Sequence, residues 1–234
     1  MDGLIIKPGN LLFRFNFKGN CNNWSDSSKN GTAVGSPSYG TNPGGIILDG
    51  SGQYVTTAIT NFQKPMTIIA RFKTPTASQL SGIADWKALA VLGFSARNSG
   101  IILGAQKKTG SEVALLTSNL GYSGIGYYTA GIIADTWYQF AYTYAADQTF
   151  IEYINGTRVN SITLSGAQIP GSTGAAVYIG AEKGTVVGSH FPGMVGSVRG
   201  YNTVLTDKEI AVIYRSSKPC MPIGLDIQKN TEVR

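Results

Sequence analysis

The sequence predicts an all-β fold, two antiparallel sheets packed face to face, with one short helix near the C-terminus. Apolar and polar residues alternate in short bursts bounded by turn residues, which is the signature of half-buried strands. Composition agrees: 30 Gly and 12 Tyr against only 14% charged residues suit strands joined by many tight turns. At 234 residues the chain suits one β domain with a core large enough to need neither disulfide nor metal.

In order, Leu11–Phe17 (LLFRFNF) places Leu11, Phe13, Phe15 and Phe17 on one face. Ile46–Leu48 and Gln53–Thr57 flank Asp49-Gly50-Ser51-Gly52, which reads as a hairpin turn. Met66–Lys73, Leu89–Phe94, Ile101–Gln106 and Glu112–Ser118 follow. Thr136–Tyr144 and Thr149–Ile154 form a pair joined by Ala145–Gln148. Asn155-Gly156 is the strongest short turn signal, since both residues tolerate positive φ, and it leads into Val159–Leu164. Ala176–Ala181 and Gly193–Tyr201 complete the strands. Thr206 with Glu209 three residues on is a capping box opening a helix of one or two turns, with Ile210, Ile213 and Tyr214 on one face. Residues 1–10 read as an N-terminal arm, 11–215 as the sandwich, and 216–234, with Pro219 and Pro222, as an extended C-terminal arm.

The net charge of +6 is scattered, and Lys107-Lys108 is the only adjacent basic pair. Nucleic-acid binding needs clustered cations, so it is not expected. Met1–Pro8 lacks the pattern of a signal peptide and no run approaches a membrane span; synthesis in a cytoplasm is expected, without membrane association. A Cys21–Cys220 bridge is open to a sandwich whose first and last strands are neighbours; two unpaired thiols are the alternative.

Several segments resemble, in order, the laminin-G-like branch of the concanavalin A-like lectin and glucanase superfamily. Leu11–Gly19 and Trp24–Thr32 are similar to its opening strand and loop, and Ile47–Val55 to its F-D-G-x-x-x-Y-V element. Thr67–Ala70 resembles its T-I-x-A strand, and Thr136–Tyr144 with Tyr153–Gly156 its W-x-x-x-A-x-T-Y and Y-x-N-G pair. Val177–Gly180, Phe191–Gly193 and Arg199–Ile210 are similar to its closing elements. The resemblance spans about residues 11–215 and implies a two-sheet jelly roll. Lys18 and Arg71 depart from the family pattern, and 79–131 matches none of it.

Glycosidases on this fold use closely spaced carboxylates on one strand. Of Glu112, Glu152, Glu182, Glu209 and Glu232 only Glu209 has an acidic residue two positions away, Asp207, and both stand in the capping-box helix and not on a strand, so an enzyme is disfavoured and no catalytic residue is assigned. The single histidine, His190, has no nucleophile elbow to serve, and Gly121–Gly126 reads as a loop. No cofactor is required. Relatives hold Ca²⁺ at the sandwich rim, which makes Asp26 and Asp49 candidate ligands; Asx turns explain both equally well. Sugar binding would rest on exposed rings. Trp86, Tyr122, Tyr127 and Tyr128 are the candidates, with edge packing or a subunit contact as the alternative. Trp137 is assigned to the core, and Trp24 reads as a cap on the sandwich.

The expected function is a non-catalytic virion component (a bacteriophage head decoration, head fibre or tail part). Its termini would join it to other virion proteins in an oligomeric assembly, and its loops would meet host-cell glycans. A free carbohydrate-binding module is the first alternative and a glycoside hydrolase-like enzyme the second.

Overall fold

The structure, a computed structural model, describes residues 6–41, 44–60, 65–81, 88–94, 101–106, 115–120, 126–131, 133–163, 176–183, 187–188 and 190–217. The strands in chain order begin with β1 (Leu11–Phe15), β2 (Gly31–Val34), β3 (Ser38–Thr41), β4 (Gly44–Asp49), β5 (Tyr54–Thr57) and β6 (Met66–Lys73). Next come β7 (Ala88–Phe94), β8 (Ile101–Gln106), β9 (Leu115–Leu120), β10 (Gly126–Gly131), β11 (Trp137–Tyr144) and β12 (Thr149–Ile154). The last are β13 (Thr157–Thr163), β14 (Val177–Ile179), β15 (Glu182–Lys183), β16 (Val187–Gly188) and β17 (Pro192–Tyr201). Helix α1 is Ala77–Ser81 and α2 is Asp207–Ser217.

Two antiparallel sheets result. One has eight strands in the order β13-β12-β11-β6-β17-β4-β3, with β1 also paired to β17; the other has seven, β10-β9-β8-β7-β14-β5-β2. The long β17 serves two partners on one edge: Pro192–Val195 pair with β4, and Val198–Tyr201 with β1. The expected sandwich of antiparallel sheets is therefore present.

Between the sheets lies an apolar layer of Phe13, Phe15, Phe72, Phe140, Tyr142, Val177, Ile179 and Val198, each with no exposed surface. Rings meet edge to face in places, as Phe72 does with Phe191 at 5.7 Å between centroids. Two expectations about facing are corrected. Tyr138, Phe140, Tyr142 and Tyr144 all join the core layer, so strand alternation turns Trp137 to the opposite, outer face, where it is only half-buried. Leu11 does not share a face with Phe13, because the pairing of β1 slips between them; Leu12 packs on the inter-sheet core and Leu11 on the outer cluster.

The Asp49–Gly52 turn is not a hairpin. β4 belongs to the eight-stranded sheet and β5 to the seven-stranded one, so the turn carries the chain across the sandwich. Its residues encode a reversal without naming a partner. Asp49 Oδ1 accepts the backbone N–H groups of Ser51, Gly52 and Gln53 at 2.8, 3.2 and 3.3 Å.

Helix α2 lies on the outer face of the eight-stranded sheet. Ile210 and Ile213 pack on Ile69, Ala141, Tyr153, Tyr201 and Leu205. The capping box forms: Thr206 N–H donates to Glu209 Oε2 at 2.7 Å and Glu209 N–H to Thr206 Oγ1 at 3.3 Å. With eleven residues the helix is longer than one or two turns and runs past residue 215. Its apolar stripe finds a floor in Ile69, Ala141, Tyr153 and Tyr201, which sequence periodicity alone did not reveal. No helix among the described residues is long and apolar enough to cross a membrane.

Candidate functional site

The 16–30 segment connects β1 in one sheet to β2 in the other, and it is laced to the frame from within. Asn23 pairs with Phe15 as an isolated bridge, and Trp24 N–H donates to Arg14 O at 2.8 Å, extending the sheet beyond β1. The buried Asn23 Oδ1 accepts from Arg14 N–H (2.9 Å), Ser25 N–H (3.2 Å) and Ser25 Oγ (2.8 Å). Asn23 N–H in turn donates to Asn30 Oδ1 at 2.8 Å, and Gly31 N–H to Cys21 O at 2.8 Å. These bonds tie the loop to the frame and hold its remaining side chains in place.

The side chain held outward is Trp24. Trp24 is 58% exposed, in a run of sequence that also exposes Asn22, Ser25 and Ser28. Strand alternation explains it, for Asn23 takes the inward position and Trp24 the outward one. The expectation that Trp24 caps the sandwich is thus corrected. An exposed Trp in a polar loop tied to the frame has the form of a stacking platform, an apolar ring face open to solvent. Nothing in the sequence separates this ring from a capping one, because both readings need a Trp beside a turn.

A second surface lies on the outer face of the seven-stranded sheet. Half-buried Tyr54 stands between Tyr178, at 6.2 Å between ring centroids, and His190, at 5.8 Å. Thr56, in register with Tyr178, shares their face, and Thr56 pairs in turn with the exposed Thr32. Of the four aromatic candidates, Tyr127 and Tyr128 fall on β10, and their side chains lie outside the described residues. Trp86 and Tyr122 lie outside the described residues.

Asp26 and Asp49 are occupied as turn-formers. Asp26 Oδ1 accepts Ser28 N–H at 3.0 Å and Ser28 Oγ at 2.6 Å, and Oδ2 faces Lys29 Nζ at 3.3 Å. The Asp49 carboxyl is held down to about 2, first by the Ser51 N–H, with burial opposing as the next largest effect and the Gly52 and Gln53 N–H groups adding to the lowering. Ca²⁺ takes six to eight oxygen ligands. N–H dipoles and an ammonium already face these carboxylates, and among the described residues no three His, Cys, Asp or Glu side chains gather as metal ligands. Both aspartates are engaged as turn-formers.

Cys21 is a buried free thiol, with Sγ 3.2 Å from the Tyr39 hydroxyl. Burial raises its pKa and the Tyr39 bond pulls it back in part. Cys220 lies outside the described residues.

The laminin-G-type family model described as the concanavalin A-like lectin/glucanases superfamily matches residues 49–211. The chain belongs to that superfamily. As a member it is a lectin-like sandwich, and solved structures agree on the fold. Domain 4 of an extracellular arabinanase from Geobacillus stearothermophilus, solved with arabinotriose, superposes with a TM-score of 0.66 at 17% identity, covering 88% of this chain and 98% of that one. The binding domain of botulinum neurotoxin DC, solved with rat synaptotagmin II, gives 0.67 at 13% identity over 89% and 52%. A Trypanosoma rangeli sialidase with sialic acid gives 0.63 at 15% over 92% and 35%. The superfamily member thus spans nearly all of the arabinanase domain, about half of the neurotoxin domain and a third of the sialidase chain. A comparison with curated protein sequences gives no match.

Proposed function

We propose that this protein is a non-catalytic glycan-binding sandwich, and that Trp24 on its laced loop is the principal contact. The exposed ring carries this reading: 58% of Trp24 faces solvent on a scaffold fixed by buried hydrogen bonds. Structures of the same fold, one solved with arabinotriose and one with sialic acid, lend it support. A non-catalytic role is supported by the carboxylates. Glu152 is fully buried with Oε2 accepting from Asn160 Nδ2 at 3.0 Å, Asp135 pairs with Lys73 at 2.6 Å, and Asp207 with Arg158 at 3.2 Å. Each is committed to structure, whereas a glycosidase needs two facing one sugar.

A glycan array probed with the wild-type chain and with Trp24→Ala tests the proposal. Binding to a defined neutral glycan set, weakened about tenfold by the substitution, is expected for loss of one stacked ring. Unchanged array signals in Trp24→Ala would move the site to the Tyr54–Tyr178 face, where Tyr54→Ala is the matching variant. Hydrolysis of any bound glycan would overturn the non-catalytic part.

We place the domain on a virion, as a surface or appendage component made in the host cytoplasm and joined to its neighbours through the segments flanking the sandwich. Its low content of charge and its Gly- and Tyr-rich composition support that setting. Mass spectrometry of density-purified particles is the test. The chain in fixed stoichiometry with the shell proteins is expected, and its absence from the particles ends the placement.

A further inference from the structure

The outer face of the eight-stranded sheet is only partly covered by α2. Two rows lie beside the helix, and register defines them. In the first, Ile47, Met194, Lys73 and Trp137 stand side by side on β4, β17, β6 and β11; in the second, Ser197, Arg71 and Gln139 do. Ile47 is exposed, and Met194, Lys73, Trp137, Ser197 and Arg71 are each partly open to solvent.

Within these rows sits an uncompensated cation. The Arg71 guanidinium lies 4.2 Å over the Trp137 ring, a cation–π contact that fixes it in place. No carboxylate pairs with it among the described residues. The neighbouring Lys73 is neutralised by Asp135 at 2.6 Å, so Arg71 is the cation left over. Burial pulls the guanidinium below its ordinary pKa, with Tyr214 acting in the opposite direction.

Directly opposite Arg71 on β11 stands Gln139, 2% exposed. Its Oε1 lies 3.3 Å from Ser217 Oγ, whose proton is shared with Tyr214 O at 2.8 Å, while Nε2 is buried without a hydrogen-bond partner. A buried donor left unpaired is costly and rare in folded proteins. Two unmet demands thus stand on residues paired across the ladder: a planar guanidinium with no anion among the described residues and an amide N–H₂ with no acceptor. Gly196 makes room for the arrangement, since a Cβ there would lie 2.9 Å from Trp137 Cζ3.

We propose that Arg71 and Gln139, floored by Trp137, form a carboxylate-binding site that takes the acid group of an acidic sugar. A carboxylate matches the fork of the guanidinium with two parallel hydrogen bonds and accepts a third from the amide. Met194, Ile47 and the open part of Trp137 supply apolar surface for the C–H face of a pyranose, and Ser197 a hydroxyl. This face is separate from the Trp24 loop, so the inference stands apart from that reading.

Isothermal titration of the full chain with N-acetylneuraminic acid and with glucuronic acid, each beside its methyl ester, tests it. Binding of at least one acid is expected, with the ester at least tenfold weaker. Arg71→Met is expected to weaken the acid at least tenfold, and Trp24→Ala to leave it unchanged. Because Arg71 is packed on Trp137, Gln139→Glu provides a variant that retains the Ser217 contact. It sets a carboxylate opposite Arg71, so it should abolish acid binding and raise the thermal midpoint together. Esters binding as well as acids, or an unchanged affinity in Gln139→Glu, overturns the site. Loss of neutral-glycan binding in Trp24→Ala with acid binding intact would separate the two proposals.

Discussion

Asp49 shows how much one side chain carries at a crossing between sheets. Three backbone N–H groups converge on its Oδ1, and they favour the ionised carboxylate over the acid, lowering its pKa from 3.8 to about 2. A folded-state pKa below the unfolded one adds stability that is complete above about pH 4 and fades as pH falls toward 2. Asp49→Asn retains the turn-forming oxygen and removes the titration. Urea midpoints of wild type and Asp49→Asn should therefore converge between pH 4 and pH 2, and parallel curves would deny the linkage. The same bonds make calcium superfluous, so excess EDTA should leave the thermal midpoint unmoved; a Ca²⁺-dependent rise would contradict the turn-former assignment. Asp49 was legible in the sequence as either ligand or turn-former, and only counting its donors decides between them. Trp24 and Trp137 were less legible. For Trp137 the alternation that puts Phe140 inward already forbids the same face three residues earlier, and the rule was there to apply. For Trp24 the decisive fact is long-range, since its outward pose depends on Asn23 pairing back to Phe15.

At the scale of elements, the sequence was most readable where local chemistry is self-contained. Asn155 and Gly156 adopt φ of 50° and 78°, as a two-residue hairpin loop with the twist of its strands requires, and β12 and β13 meet across it. Gly156 carries a second demand that no turn rule conveys. A Cβ there would lie 2.9 Å from Tyr214 Cβ and 3.1 Å from Ala211 Cα, both on α2. The hairpin and the helix are thus fitted to each other. Gly156→Ala should destabilise by more than the roughly 1 kcal/mol of a strained turn alone, because the helix must also move. Chemical denaturation measures it, and a cost of about 0.5 kcal/mol or less, half the turn penalty, would mean that α2 yields freely. Turn chemistry says where the chain reverses and stays silent on what pairs afterwards. Asp49–Gly52 accordingly looked like a hairpin while it joins strands of different sheets, and α2 extended beyond its capping box because Ile69, Ala141 and Tyr201 supply a floor.

At the scale of the whole molecule, the sandwich closes on itself at β1 and β17: Leu11 pairs with Tyr201, and Phe15 with Val198. The family match begins at residue 49, yet Phe13, Phe15 and Phe17 lie outside it and are at most 1% exposed in the inter-sheet core. Truncating one buried Phe to Ala typically costs about 3–5 kcal/mol, while a domain holds about 5–15 kcal/mol in all. Removing all three, and with them the strand that covers one edge of β17, exceeds what the rest is expected to sustain. A chain beginning at Gly19 should accordingly be unfolded or molten, with poorly dispersed amide resonances and no cooperative thermal transition. A synthetic peptide spanning Pro8–Lys18 should restore dispersion when added in trans, because β17 would then regain its antiparallel partner and the core its three rings. A well-dispersed spectrum from the shortened chain alone would show that the region matched by the family is a self-sufficient core, and that β1 is an ornament to it.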